Sequence, residues 1–345
     1  MAIIIGLIII AIGAFCQSSC YVPINKIKDW SWESYWVVQG VFAWLVFPLL
    51  GALLAVPAGH SLTELFVSAP SFNVWMTVFF GVLWGVGGLT FGLSMRYLGV
   101  ALGQSIALGT CAGLGTIMGP VLLNIYFPEQ KPLESLTSAV IIGVVVTLIG
   151  IAIIGIAGHM KAQSLSEEEK KAAVKDFNFP KGIVIALLAG FMSGCFNVGL
   201  EFGKDINFGE LTNSMYSTLP ATLLVTLGGF VTNAVYCFYQ NSKNKTWGDY
   251  GKSAIWGNNL LFCALAGLLW YSQFFGLSLG KGFLTDSPTL TTFAFCILMA
   301  LNVVFSNVWG IILKEWKGVS KKTIVVLVIG IVVLIVSTFV PELLK

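Results

Sequence analysis

Amide side chains inside long apolar stretches are the residues of this sequence best suited to chemistry. Gln17, Asn197 and Gln273 all lie within such stretches, and an amide surrounded by apolar groups must be hydrogen-bonded or must face a cavity. Fixed amide donors and acceptors suit an uncharged polyol, and aromatic faces can cover the C–H surface of such a ligand. The sequence WYSQFF at 270–275 supplies both kinds of group. For any single amide, a hydrogen bond between two helices is the competing interpretation.

Carboxylates lie at the ends of these apolar stretches rather than at their centres. Glu33 follows a short basic stretch, and Glu201 is the most deeply placed acid. Both are candidates for a group that takes up a coupling cation. A surface ion pair with Lys204 is the competing interpretation of Glu201. Because no carboxylate falls at a centre, proton coupling would use an acid nearer the surface, whereas a sodium site made of carbonyls and hydroxyls needs none.

Residues for enzyme chemistry are scarce. The chain has two histidines, His60 and His159, and both fall in predicted connections, so a metal site or a histidine-assisted nucleophile lacks parts. The seven cysteines all fall inside apolar stretches, which favours packing over a disulfide framework. We therefore predict no catalytic residue, no metal site and no cofactor apart from a coupling cation.

The elements that must hold these side chains are membrane-spanning helices. The 345-residue chain is 57% hydrophobic and 10% charged, with a mean hydropathy of +0.87, whereas about a quarter of the residues of a soluble domain are charged. A helix needs roughly 20 apolar residues to cross the bilayer core, and no stretch alternates like a strand of a membrane barrel. Ten stretches qualify as spans: 3–22, 34–56, 73–95, 99–122, 136–157, 181–202, 216–238, 256–279, 289–312 and 322–341.

The distribution of basic residues predicts the orientation of these spans. Lysine and arginine mark cytoplasmic connections, and 15 of the 19 lie in the first, third, fifth, seventh and ninth connections. Both termini are therefore predicted to lie outside the cytoplasm. Lys26 is then an orientation anchor, and Trp30 and Trp32 are aromatic residues at the membrane interface. Arg96, the only arginine, is interpreted as an anchor at the inner boundary of the third span.

An internal repeat divides the predicted bundle into two halves of five spans. GVLW at 81–84 and FGLSM at 91–95 match GLLW at 267–270 and FGLSL at 275–279. With an odd number of spans in each half, the second copy must enter the membrane from the opposite side. Inverted repeats of this kind place a substrate site near the midplane and work by rocking one set of helices against the other.

The predicted halves are 1–157 and 181–345, and residues 158–180 form a cytoplasmic linker between them. The linker is the one long polar segment of the chain, and its SLSEEEKK sequence resembles a helix N-terminus capped by Ser166. We expect a short surface helix there.

The repeat and the clustering of polar with aromatic residues together predict a midplane substrate site between spans 1, 3, 6 and 8. Trp84 enters this site as the repeat partner of Trp270. The predicted lining residues are Gln17, Trp84, Asn197, Trp270, Tyr271 and Gln273.

Four stretches of the sequence resemble the L-rhamnose–proton symporter family of the drug/metabolite transporter superfamily. They are CYVPINKIKDWSWE (20–33), GLTFGLSMRYLG (88–99), WYSQFFG (270–276) and LKEWK (313–317). The residues that match the family position by position are Pro23, Lys26, Trp30, Trp32, Glu33, Arg96, Lys204, Trp270, Gln273 and Lys314. Gly88, Thr90 and Phe91 depart from the family pattern, which implies a drier pocket and leaves room for a different substrate.

The resemblance implies a multi-pass protein of the bacterial cytoplasmic membrane that imports L-rhamnose, or a closely related neutral monosaccharide, with a cation. A proton is the favoured cation and sodium is the alternative. The expected partners are the sugar and the lipid bilayer, and no nucleic acid. A sodium-coupled carrier or exporter of another metabolite is the alternative within transport, since the superfamily fold does not fix the substrate. A membrane-embedded enzyme or scaffold is the alternative outside transport.

Overall fold

The apolar stretches of the sequence fold as helices. The computed structural model describes residues 1–98, 100–164, 179–314 and 316–344, and within those ranges all regular secondary structure is helical. The α-helices are α1 Ala2–Ser18, α2 Tyr21–Ile24, α3 Trp32–Gly40, α4 Phe47–Leu54, α5 Leu62–Ser68, α6 Ser71–Leu98, α7 Val100–Tyr126, α8 Ser138–Gln163, α9 Phe179–Phe202, α10 Leu219–Asn244, α11 Ser253–Gly282, α12 Pro288–Ile312, α13 Lys321–Ser337 and α14 Val340–Leu343.

Nine helical segments in the described part of the chain are long and apolar enough to cross a membrane. They are Ala2–Ile24, Trp32–Leu54, Ser71–Ser94, Gly103–Tyr126, Ser138–Gln163, Pro180–Phe202, Ser214–Asn244, Ser253–Gly282 and Pro288–Ile312, and they confirm the first nine predicted spans. At the tenth predicted span, 322–341, α13 has 17 residues and is followed by the short helix α14. At about 1.5 Å per residue, α13 is shorter than a bilayer core of about 30 Å, so the tenth span stays a prediction.

The chain forms two compact units, and each unit draws on both ends of the sequence. Unit 1 comprises Met1–Gly85 and Phe202–Phe283, and unit 2 comprises Val86–Glu201 and Leu284–Lys345. These units are defined by contacts, whereas the predicted halves are defined by sequence similarity. The inverted repeat, the boundaries of its halves and the orientation of the termini therefore stay predictions.

Unit 1 is held together by close contact between α1 and α11. Gly13 lies against the backbone of α11, where an added Cβ would come within 2.9 Å of the carbonyl oxygen of Ser272 and 3.1 Å of the Cα of Gln273. Small residues allow such an approach, which is typical of helices packed within membranes. Gln17 lies one turn further along α1 than Gly13.

Unit 2 contains helices that are joined by buried polar contacts as well as by apolar packing. The hydroxyl of Thr147 on α8 donates to the hydroxyl of Ser337 on α13 over 3.0 Å. On α7, Gly115 leaves room for the ring of Phe295 from α12. Buried hydroxyl groups of this kind are satisfied within the bundle, as an apolar surrounding requires.

Two elements of unit 1 are absent from the sequence prediction. Residues 41–46 form a π-helical turn between α3 and α4. The short helix α5 begins with a capping box, in which the hydroxyl of Ser61 accepts from the backbone N–H of Glu64 over 3.1 Å and the Glu64 carboxylate accepts from the N–H of Ser61. The core residue Leu65 fixes α5 against Ile206 and Leu224.

The described part of the predicted linker is the continuation of a membrane helix. Helix α8 extends to Gln163, so residues 158–163, including His159, are helical rather than part of a connection. The surface helix expected from Ser166 lies outside the described residues. The description resumes with α9, which begins at Phe179.

Candidate functional site

Four tryptophans meet inside unit 1. Trp44 lies at the centre of this tryptophan cluster, with ring centroids 5.7 Å from Trp36, 5.9 Å from Trp84 and 5.9 Å from Trp270. Trp84 and Trp270 are themselves 5.6 Å apart and inclined by 36°. Trp44 is buried, whereas the other three rings are partly exposed. Trp84 and Trp270 are thus in direct ring contact, and their place in a substrate site stays a prediction.

Glycines provide the space in which two of these rings lie. An added Cβ at Gly40 would come within 2.7 Å of the ring of Trp44, and one at Gly229 would overlap the ring of Trp84. The third ring is held by a hydrogen bond, since the indole N–H of Trp36 donates to Asn233 Oδ1 over 3.0 Å. Asn233 Nδ2 in turn donates to the carbonyl of Gly229 over 2.8 Å. The ring positions are therefore determined by the backbones of α3 and α10.

Tyr271 and Gln273 extend the site along α11. The side-chain amide of Gln273 is 3% exposed, and its Nε2 donates to the carbonyl of Trp270 over 3.1 Å. The hydroxyl of Tyr271 lies against Gly51, where a Cβ would overlap it. That hydroxyl is buried and has no hydrogen-bond partner among the described residues. Tyr271 and Gln273 follow the cluster residue Trp270 in the sequence. Of these two side chains, Tyr271 has a hydroxyl without a partner among the described residues.

The two remaining predicted lining residues lie in different units. Gln17 is half-buried at the end of α1 in unit 1. Asn197 belongs to unit 2, where its Nδ2 donates to the carbonyl of Gly115 over 2.9 Å. The amide oxygen of Asn197 is buried without a partner in the described part of the chain. Asn197 thus makes the helix-to-helix hydrogen bond of the competing interpretation, and it retains one free acceptor.

A second polar region of unit 1 joins residues 26–34 to residues 241–259, and we call it the polar clamp. Asn259 forms two hydrogen bonds with the backbone of Lys28, of 3.0 and 2.8 Å. Asn258 Nδ2 donates to the carbonyl of Lys26 over 3.0 Å. The ring of Trp30 lies 5.2 Å from that of Trp256. The basic and aromatic stretch after α1 is therefore bound along its length to the start of α11.

Asp249 is the centre of the polar clamp. Its Oδ2 accepts from the backbone N–H of Ser31 over 2.8 Å and from the hydroxyls of Ser31 and Ser34 over 2.7 and 2.9 Å. Its Oδ1 accepts from Lys252 Nζ over 2.6 Å. Burial alone would raise the pKa of Asp249, but the hydrogen bonds from Lys252, Ser31 and Ser34 outweigh it and lower the pKa to about 2. Asp249 is therefore an ionised, fully engaged carboxylate.

Glu33 lies beside this centre in the first turn of α3. The residue is 1% exposed, and its Oε1 accepts from Asn244 Nδ2 over 3.0 Å and from the hydroxyl of Thr246 over 2.9 Å. Within the described ranges, no lysine or arginine nitrogen lies within 4.0 Å of this carboxylate. Glu33 is thus a buried acid held by neutral donors, which is an uncommon environment for a carboxylate.

The other predicted charged and aromatic residues take separate positions. Trp32 is 41% exposed, in keeping with a place at the membrane interface, whereas Trp30 is buried. Lys204 and Lys314 are exposed, and Arg96 falls in the last turn of α6. Glu201 is half-buried in unit 2, where its side chain lies over Gly119. The two coupling candidates, Glu33 and Glu201, therefore belong to different units.

Comparison with known proteins identifies the family. A family model described as L-rhamnose-proton symport protein (RhaT) matches residues 1–343. The chain belongs to this family. Similar proteins include the L-rhamnose-proton symporters of Yersinia pestis (strain Pestoides F) and Yersinia pseudotuberculosis serotype O:1b (strain IP 31758). Each is 32% identical over 344 residues, which cover 97% of this chain and 96% of the relative.

Membership of the RhaT family has two direct consequences. The chain is a transporter rather than an enzyme, which confirms the interpretation of its scarce catalytic groups. It is also a multi-pass membrane protein, because it combines this family with nine apolar helices of sufficient length in its described part.

Sequence reasoning on this RhaT-family chain missed two residues at the centres of the two regions. Trp44 has no counterpart in the repeat match, and the packing of the π-helical turn 41–46 against α10 and α11 brings it to Trp270. Asp249 lies in the short connection WGDYG, where an acid reads as an ordinary surface charge. The one available signal was the pair of serines at 31 and 34 beside Glu33, whose hydroxyls point to a buried polar site.

Proposed function

We propose that this protein is a proton-coupled symporter that imports L-rhamnose across the bacterial cytoplasmic membrane by alternating access. The observation that carries the proposal is the match of the RhaT family over nearly the whole chain, together with relatives that are named L-rhamnose-proton symporters. A similarity that spans every described membrane helix supports a common transport cycle. At 32% identity, the sugar itself is the part of the proposal that most needs a test.

The proposed sugar site is lined by Gln17, Trp84, Asn197, Trp270, Tyr271 and Gln273. Direct contact of the rings of Trp84 and Trp270 supports it, since paired aromatic faces can cover the C–H surface of a monosaccharide. Gln17 lies on α1, which packs against the helix that carries Gln273, and the hydroxyl of Tyr271, which has no partner among the described residues, is available to a sugar hydroxyl. Asn197 is proposed as a lining residue from the sequence prediction alone. An uncharged site of this composition suits a neutral sugar better than an ion.

Glu33 and Glu201 are the proposed coupling residues. Glu33 is the stronger candidate, because it is nearly fully buried and its hydrogen-bond donors, Asn244 and Thr246, are neutral. These hydrogen bonds can be kept or broken when the carboxylate takes up a proton. Glu201 is half-buried. Sodium coupling is the alternative, and it would place the cation among hydroxyls and carbonyls instead of at these acids.

A related neutral monosaccharide is a second candidate substrate, and positions 88–91 favour it. An added Cβ at Gly88 would meet no atom within 4 Å. The hydroxyl of Thr90 donates to the carbonyl of Val86 over 3.0 Å and is therefore engaged by its own helix. If relatives use these positions to contact sugar, this chain offers fewer polar groups there.

Uptake into proteoliposomes tests the proposal. Purified protein is reconstituted, and accumulation of radiolabelled L-rhamnose is measured under an inside-alkaline pH gradient or an inward sodium gradient. We expect accumulation with the pH gradient alone and its loss with a protonophore. Accumulation driven only by sodium would reject proton coupling. No accumulation of L-rhamnose by folded protein under either gradient would reject it as the substrate.

A further inference from the structure

The indole N–H of Trp44 is a buried hydrogen-bond donor for which the described residues offer no acceptor. Trp44 is 4% exposed, and its Nε1 has no partner in the parts of the chain that the structure describes. Its neighbour Trp36 differs, since the N–H of that ring donates to Asn233 Oδ1 over 3.0 Å. A donor that is sealed away from water without a partner destabilises the fold. The cluster therefore retains, at its centre, a polar group that the fold leaves unused.

The backbone around Trp44 is also unusual. Trp44 lies inside the π-helical turn Val41–Val46, between the regular helices Trp32–Gly40 and Phe47–Leu54. Turns of this type are rare within helices and occur frequently at functional sites. The wider turn, together with the missing side chain at Gly40, sets the position of the ring. Local geometry that is less favourable than an α-helix thus holds an unsatisfied donor among three other aromatic rings.

Ring packing alone is the competing explanation. Trp44 stands at 89° to Trp84 and 84° to Trp270, and edge-to-face pairs of this kind are stabilising. An edge-to-face contact of this kind needs an aromatic edge, which a phenylalanine ring also supplies. A phenylalanine at position 44 would keep a ring in the same place, so the two explanations predict different results for one substitution.

We infer that Trp44 is a sugar-binding residue, whose indole N–H donates to one hydroxyl of the transported monosaccharide. This inference rests on the proposed function and adds to its site a residue that no sequence pattern indicated. Trp84 and Trp270, which are partly exposed, present their faces to the sugar, and Trp44 supplies the directional bond behind them. A transporter cycles between states that open and close its substrate site, so a donor that is sealed in one state meets the substrate in another.

Binding of sugars to the variant Trp44→Phe tests the inference. Affinity is measured in detergent by calorimetry for L-rhamnose and for analogues that each lack one hydroxyl group. We expect L-rhamnose to bind the variant about tenfold to a hundredfold more weakly than the wild type, since a sugar hydroxyl loses its buried partner. The analogue that lacks this hydroxyl should bind wild type and variant equally, while the other analogues should still distinguish them.

A matched control is Trp256→Phe. Trp256 lies outside the tryptophan cluster, and its indole N–H donates to the carbonyl of Tyr250 over 2.8 Å. This substitution should lower thermal stability without changing the pattern of sugar affinities. For Trp44→Phe, the melting temperature without sugar should fall by less than in the control, because no existing hydrogen bond is lost.

The outcomes separate the inference from the proposed function. Equal affinities of wild type and Trp44→Phe for L-rhamnose and every analogue would overturn the inference and leave the proposed function intact. A wild-type protein that binds none of the sugars would overturn the proposed substrate. If Trp44→Phe does not fold, nuclear magnetic resonance of wild type labelled at the indole nitrogens decides. A Trp44 indole resonance that L-rhamnose leaves unmoved would then overturn the inference.

Discussion

The tryptophan cluster and the polar clamp lie in the same unit and differ in how the residue at the centre of each is bonded, although each contains a buried indole N–H without a partner among the described residues, that of Trp44 and that of Trp30. In the clamp, both oxygens of Asp249 accept hydrogen bonds, and Asn259 is paired with the backbone of Lys28. In the cluster, the central group is the N–H of Trp44, which is buried and has no acceptor in the described part of the chain, and the same holds for the hydroxyl of Tyr271, which follows Trp270 in the sequence. A satisfied buried network stabilises one structure, whereas an unsatisfied group is costly and calls for a functional reason.

This difference indicates separate tasks for the two regions. The clamp fixes the connection after α1 to the start of α11 and thereby holds the frame of unit 1. The cluster contains the groups that this frame leaves available to a ligand. Substitutions in the clamp should therefore act on stability first, and substitutions in the cluster should act on sugar binding first.

The largest expected effect is the loss of Asp249. Asp249→Ala leaves Ser31, Ser34 and Lys252 without their common acceptor, and each hydrogen bond to a charged group contributes about 1.5–3 kcal/mol. We expect a clearly lower melting temperature in detergent. Asp249→Asn keeps the size and some acceptor capacity and should retain part of the stability. Wild-type stability of Asp249→Ala, with sugar affinity lost instead, would contradict the division of tasks.

Replacing a glycine that leaves space for an aromatic ring should change both stability and sugar binding. Overpacking of this kind usually lowers the free energy of unfolding by about 1–3 kcal/mol. At position 229, an alanine Cβ would overlap the ring of Trp84, so Gly229→Ala must displace that ring. We expect weaker sugar binding with a modest loss of stability. Gly257→Ala is the matched control, because its Cβ would meet no atom within 4 Å. Equal sugar affinities of the two variants would remove Trp84 from the site.

The pH dependence of stability sharpens the role of Asp249. Its pKa falls from an ordinary value of 3.8 to about 2 on folding, which corresponds to about 2 kcal/mol of stabilisation by the charged form. Because the folded pKa is the lower one, this contribution is complete above about pH 4 and is lost as the pH falls towards 2. The stability difference between wild type and Asp249→Asn should therefore be constant from pH 5 to 8 and shrink under more acidic conditions. A difference that grows on acidification would show that Asp249 is not ionised in the folded protein.

The smallest expected effect concerns Gln273. Its Nε2 is already bonded to the carbonyl of Trp270, so one end of the amide is engaged by the fold. We expect Gln273→Ala to weaken L-rhamnose binding by about 1 kcal/mol, the net worth of a single hydrogen bond. Calorimetry with the folded variant measures this directly, and Gln273→Glu, of similar shape, is its control. Unchanged affinity would remove Gln273 from the site.

The sequence predicted the helices well because long apolar stretches have one stable arrangement in a bilayer. Nine spans and the pairing of Trp84 with Trp270 followed from hydropathy and a faint repeat. The π-helical turn at 41–46 could not be predicted, since VFAWLV has the composition of any apolar helix. The short helix α5 was predictable in principle, because the Ser61-x-x-Glu64 capping box stands in the sequence.

The candidate site was harder to predict than the fold because it depends on contacts between residues far apart in sequence. Trp44 reaches Trp270 only through the packing of α11, and Asp249 reaches Ser31 only through the clamp. The partners of the stretch KIKDWSW are equally distant in sequence, so from sequence alone this stretch is interpreted only as an orientation anchor with interfacial aromatic residues. In the structure its backbone is also one side of a buried hydrogen-bond network.

Hydrogen–deuterium exchange with and without L-rhamnose tests most directly whether sugar binds at the cluster while the clamp serves the frame. Backbone amides of peptides from 36–46, 81–90 and 266–275 report on the cluster, and those from 26–34 and 241–258 report on the clamp. Our account predicts that L-rhamnose slows exchange in the cluster peptides and leaves the clamp peptides, which are already protected, unchanged. Slower exchange confined to the clamp peptides, with the cluster unaffected, would contradict it.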